Sequence, residues 1–168
     1  MSQPAASPEM NLLRETLNEG RKHVLGILDG LSDEDLRRPV LPSGWTCLGL
    51  VNHLALDVER FWFTHVAAGQ PEEPSEPGED AWKVGPDIPA AAVLDLYRRE
   101  IERANTVISA TDLEAAPGWW PEDLFGSWRL NDMREIMLHA ITETACHAGH
   151  LDAARELIDG RQWLVLTG

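Results

Sequence analysis

Cysteine is scarce in this chain: two in 168 residues, Cys47 and Cys146, with no CxxC pair. That excludes a disulfide framework and leaves two reduced thiols, expected to be buried in a cytoplasmic protein. Basic side chains are scarce as well. Fourteen lysines and arginines face 28 acids, a formal charge of −14, so repulsion excludes nucleic acid and anionic membrane as main partners. No apolar run approaches the roughly 18 residues of a membrane span, and the opening MSQPAASPEM has no basic-then-apolar leader pattern. Strand-like alternation is missing too. What is present is enough apolar residue, 43% of the chain, to bury a full core. The length suits a single domain over residues 1–168.

Helical periodicity organises the rest. A first helix is expected from Pro8 to Gly30, with Leu13, Leu17, Val24, Ile27, Leu28 and Leu31 at three- and four-residue spacing. SDEDL reads as one helical turn capped by Ser32. A second helix should start at the N-cap Thr46, bury Leu50, Val51, Leu54, Val58, Phe61 and Trp62, and stop at Gly69. PEEPSEPGED follows, with five acids and three prolines, and reads as a solvated linker. The third helix spans Pro89 to Ala110 with Leu94, Tyr97, Ile101, Ala104 and Ile108 inward. The connection TDLEAAPGWWPEDLFGSWRL is long and aromatic, and its Trp119, Trp120, Phe125 and Trp128 are expected to wall a pocket at one end of the bundle. A last helix runs from Asn131 to Gly160. The fold class is therefore all-α, a four-helix bundle whose connections are long enough to cross over.

The last helix carries an anomaly. At about 100° per residue, Ile136, Ala140, Glu143, His147, His150, Leu151, Ala154 and Ile158 form one stripe. An acid and two imidazoles thus sit on a side that otherwise favours burial, and an unpaired carboxylate there is costly. On the second helix His53 lies beside the apolar stripe, with Asp57 one turn later. If the two helices pack together, His53 can face Glu143 and His147. Two imidazoles and a carboxylate suit Zn²⁺, Ni²⁺ or Fe²⁺, and three protein ligands leave a position open for chemistry. A Glu–His pair four residues apart is also a common surface hydrogen bond. His139 and His150 lie close to the same stripe, so spacing leaves the ligand set open. His23 and His65 have no partner that spacing identifies, and Cys146 points about 100° away from His147.

The segments GWTCLGLVNHLA (44–55) and SWRLNDMREIMLHAITETACHAGHLDAARELIDG (127–160), with the helix pattern between them, resemble the DinB-like superfamily of four-helix metalloproteins. More narrowly, they are similar to the branch containing the N-terminal domain of mycothiol-dependent maleylpyruvate isomerase. The resemblance implies a metal held by His53, Glu143 and His147, Zn²⁺ ahead of Ni²⁺. It places His150 beside the ligands rather than among them. The helix and loop reading adds His139, Asp57, Trp120 and Trp128 as candidates to support the ligands or line the pocket. The resemblance also implies a crossover bundle and a homodimer. The implied chemistry is that of a transferase activating a low-molecular-weight thiol such as mycothiol towards a small electrophile. A metal-dependent hydrolase on the same site and a non-catalytic ligand-binding stress-response protein are the alternatives. The isomerase has a further C-terminal domain that contributes to its active site, and this chain ends at Gly168, so maleylpyruvate isomerisation is not expected.

Overall fold

A computed structural model describes residues 7–70 and 80–163, and all regular structure among them is helical. Helix α1 (Pro8–Leu28) starts with Ser7, whose hydroxyl accepts from the Met10 amide. It ends at Leu28, short of the expected Gly30, because Asp29 already leaves helical geometry. Helix α2 (Asp33–Arg37) is the single turn capped by Ser32, and α3 (Cys47–His53) starts at the expected N-cap Thr46. Helices α4 (Ala90–Ala110) and α5 (Met133–Asp159) complete the set, the latter capped by Asp132 and closed by Gly160 at φ +79°. No helix of the described residues is long and apolar enough to cross a membrane.

Beyond His53 the second long helix changes its winding: Leu54–Ala67 is π-helical. A π-helix bonds i to i+5 and takes roughly 4.4 residues per turn, so side chains drift round the axis relative to α-spacing. The buried positions follow that wider period: Leu54 and Ala55, Val58 and Glu59, Trp62 and Phe63, then Val66. The α-periodic expectation put Phe61 inward and ignored Glu59 and Phe63. The structure reverses this, leaving Phe61 partly buried on the flank.

The principal packing partners are α1 with α5 and α3 plus its π continuation with α4, while α5 also packs on the π segment. Consecutive long helices α1 and α3, like α4 and α5, are not the main neighbours, so their connections cross the bundle as expected. On α4 the inward side is Val93, Tyr97, Glu100, Ala104 and Ile108; Leu94 and Ile101 are only half-buried. On α5 the buried positions are Met133, Ile136, Met137, Ala140, Thr144, Ala148, Leu151, Ala154 and Arg155. That face is rotated from the expected stripe because α5 serves α1 on one side and the π segment on the other. Glu143 and His147 consequently lie at its edge, and His150 is exposed. Cys47 is buried, with burial pushing its thiol up to about 11, whereas Cys146 is exposed, contrary to the expectation of two buried thiols.

Two loops are held against this frame by backbone contact. Gly118 and Trp119 donate to the carbonyls of Ala67 and Val66 at 3.2 Å each, docking the 111–130 connection on the end of the π segment. A Cβ at Gly118 would meet Gly69 backbone at 2.8 Å, so that approach needs glycine. At Gly49 a Cβ would run into the Trp82 carbonyl, and Asn52 donates to the Ala81 carbonyl at 2.8 Å. The 80–83 turn therefore lies directly on the start of α3. The expected acidic linker falls outside the described residues except for Asp80, which accepts from the Trp82 amide and pairs with Lys83. Of the C-terminal tail, only 161–163 are described.

Candidate metal centre

His53 ends the α-wound part of its helix, where the change of winding begins. Its Nδ1–H donates to Asp57 Oδ2 at 2.7 Å. A carboxylate acceptor obliges the imidazole to keep its proton on Nδ1, so Nε2 presents a lone pair. Trp82 stacks on the ring with centroids 4.3 Å apart and planes at 19°, which fixes its orientation from the other side. The sequence pattern does not single out Trp82. It belongs to a short turn without periodicity, and only the tight seat at Gly49 brings it in.

Across the gap stands α5. His147 Nε2 lies 3.4 Å from Glu143 Oε2, and the His53 and His147 rings meet edge to face at 5.0 Å. One ligand atom from each of His53, Glu143 and His147 falls within 4.8 Å of the others. In a tetrahedral site with bonds of about 2 Å the donors sit roughly 3.3 Å apart, so the Glu143–His147 spacing already matches. The two imidazoles keep 14% and 12% of their side-chain exposure and the carboxylate 36%, enough to leave one side open. His147 is the only ion-pair partner of Glu143 among the described residues, with no lysine or arginine to neutralise it. Burial, helped by His53 and opposed by Glu143, holds the His147 pKa below its usual value, favouring the neutral imidazole that a metal needs. The donor types, the protonation and the spacing all fit a divalent cation.

The remaining candidates separate. His150 Nδ1 lies 3.3 Å from His147 Nδ1, so one of the two donates to the other; with His147 as donor its Nε2 is free to face Glu143. His150 is itself solvent-exposed and touches the Trp45 ring at 6.1 Å. His139 sits edge-on to Trp62 at 4.7 Å and against Trp128 at 5.4 Å. It is absent from the convergent three and forms wall instead.

That wall bounds a cavity of about 390 Å³ opening beside His53 and Glu143, lined on its far side by Phe61, Trp62, Phe125 and Trp128. The aromatic loop thus walls a pocket as expected. Trp120 does not line it: this side chain is buried behind, packed against Trp62, Phe125 and Trp128 at about 6 Å. A second opening is lined by Ser43, Gly44, Trp45, Asp80, Lys83 and Trp82, the ring that stacks on His53.

Burial lowers the pKa of His139 from its ordinary 6.5, with Glu143 opposing. The folded state therefore prefers the neutral ring. As pH falls through 6.5 the unfolded chain takes up the proton first, and stability is lost. In metal-free protein, His139→Gln is expected to make the loss of stability between about pH 7.5 and 5 shallower than in wild type. Urea-unfolding midpoints across that range check it; parallel pH profiles would contradict a half-buried, neutral His139.

Comparison with known proteins agrees with this geometry. No curated protein matches the chain. The family model described as Mycothiol-S-transferase, however, matches residues 12–160, which include α3, the aromatic loop and all three convergent donors. An all-helical bundle, a His–Glu–His cluster at the mouth of an aromatic cavity and a match over nearly the whole length together establish that the chain belongs to the mycothiol-S-transferase family.

Proposed function

We propose that His53, Glu143 and His147 hold a divalent metal, Zn²⁺ ahead of Ni²⁺, and that the protein transfers a low-molecular-weight thiol of the mycothiol type to a small electrophile. The observation that carries this is the convergence of three donors, one an acid without a basic partner, at the lip of an aromatic cavity. A divalent cation supplies, when bound, the lowering of a thiol's pKa that makes thiolate available at neutral pH.

The chain's own residues do the rest. Asp57 sets the tautomer of His53, and His150 hydrogen-bonds the far nitrogen of His147, so both rings present Nε2 to one point. The aromatic cavity would take the electrophile, and the polar opening past Trp45 and Trp82 the hydroxyl-rich body of the thiol. Trp82 against His53 and the rings of the cavity wall limit water access, which favours sulfur attack over hydrolysis. In the transfer the sulfur lone pair forms a bond to the electrophilic carbon, the leaving group departs with its electron pair, and the thiol proton passes to solvent.

Zinc-loaded protein mixed with mycothiol and a fluorogenic haloalkyl bimane is expected to form the thioether faster than the same protein stripped of metal. The rate is read by fluorescence against a protein-free control. Equal rates in all three mixtures would remove the transferase reading.

A further inference from the structure

The cavity beside the donors is lined by rings and acids. Trp62 and Phe125 lie nearly parallel, centroids 5.6 Å apart with planes at 19°, and Trp128 meets both edge to face at 5.9 and 5.2 Å. Aromatic faces carry partial negative charge and attract cations and the positive edges of other rings. Among the described residues the charged groups in the lining are Asp57 and Glu143, and no lysine or arginine is with them. The loop's one basic residue, Arg129, is engaged elsewhere, over the Trp120 ring at 5.3 Å and bonded to Glu122 at 2.9 Å. A carboxylate entering this space would lose water and meet neither ammonium nor guanidinium.

We infer that this cavity selects flat aromatic electrophiles that are uncharged or cationic and discriminates against those bearing a carboxylate. The inference deepens the transferase reading and rests on it for the word electrophile. In the metal-free protein the charge argument does not depend on thiol chemistry, because Asp57 and Glu143 then line the cavity with no bound cation to offset them. A divalent cation held by the donors is offset by Glu143 and by the sulfur anion it favours, so loading leaves Asp57 as the uncompensated charge at the mouth. Selection is therefore built by shape and by sign together. The rings set the shape, and the missing bases set the sign.

A matched series tests it: N-methyl-2-naphthamide, trimethyl-2-naphthylammonium and 2-naphthoate, titrated into metal-stripped wild type and into metal-stripped His147→Ala, so that no open metal position can bind the carboxylate. The readout is the shift of the indole N–H resonances of Trp62 and Trp128, and none of the probes needs metal or thiol. The amide and the ammonium are expected to shift both resonances, with 2-naphthoate at least about tenfold weaker, the size of effect that like-charge contact produces. Leu124 lines the rim and is 62% exposed, so Leu124→Lys spares the core and is expected to narrow the naphthoate gap. Equal affinity for all three probes, tightest binding of naphthoate, or silent indole resonances with every probe would overturn the inference. Loss of thioether formation with the probe ranking intact would remove the transferase reading and leave the selectivity standing.

Discussion

His147→Ala protein, purified without a histidine tag, is expected to carry almost no divalent metal, while wild type retains about one ion per chain. Two ligand atoms would remain in the variant, His53 Nε2 and a Glu143 oxygen, on different helices and without the 3.4 Å neighbour that brings Glu143 to the point of convergence. His53→Ala should behave alike. A graded outcome is expected one step out. Asp57→Asn keeps the side chain's size and can still bond His53 Nδ1, but its neutral amide is a weaker acceptor and no longer holds the ring's proton on Nδ1 as firmly. Changes of that kind lower metal affinity by about 10–100-fold. His139→Ala, by contrast, should leave metal content unchanged, because His139 contacts Trp62 and Trp128 rather than the donors. Elemental analysis with a chelator titration reads all four. Equal metal in wild type and His147→Ala would sink the metal centre and every chemistry built on it.

Arg21→Ala is expected to destabilise the fold by about 3–5 kcal/mol, the range for removing one partner of a buried ion pair. Arg21 and Glu59 are both about fully buried, and the guanidinium clasps the carboxylate with two bonds, 2.7 Å from Nε and 2.5 Å from the far amine. Its remaining amine bonds Asn18 and Asn105 at 2.8 Å each, so the one side chain ties α1, the π segment and α4 together. Burial raises the Glu59 pKa despite Arg21, which says how costly its bare charge is. Without Arg21 the carboxylate would be stranded. The folded pKa lies above the unfolded value, so on acidification the folded state takes the proton first, and the variant should recover stability as pH falls towards 4.5. Paired replacement, Arg21→Met with Glu59→Leu, removes both charges and should restore most of the loss. Urea unfolding measures each. A loss below about 1 kcal/mol for Arg21→Ala would mean that water reaches Glu59.

Much of this molecule is written locally. Ser7, Ser32, Thr46 and Asp132 cap their helices through side-chain oxygens bonded to amides three residues on, a contact set within one turn. Gly160 ends α5 because glycine accepts a positive φ at little cost. The Glu143–His147 spacing brings that pair together on any α-helix, so two of the three donors were legible before the fold. Matching His53 to it required the family resemblance or the packing itself.

What tertiary structure alone decided depends on distance along the chain and on winding. The π form of Leu54–Ala67 turned Glu59 inward to Arg21 and set Phe61 beside the cavity, against α-periodicity. Trp82 reached His53 because Gly49 admits a foreign carbonyl, and Trp120 went behind the wall while Trp128 formed it. His150 left the expected stripe because α5 divides its buried face between two neighbours. Caps and i,i+4 pairs are settled by the bonds of a single turn, so the sequence determines them. Which ring meets which imidazole is a choice among packings of similar burial, and the whole bundle makes it.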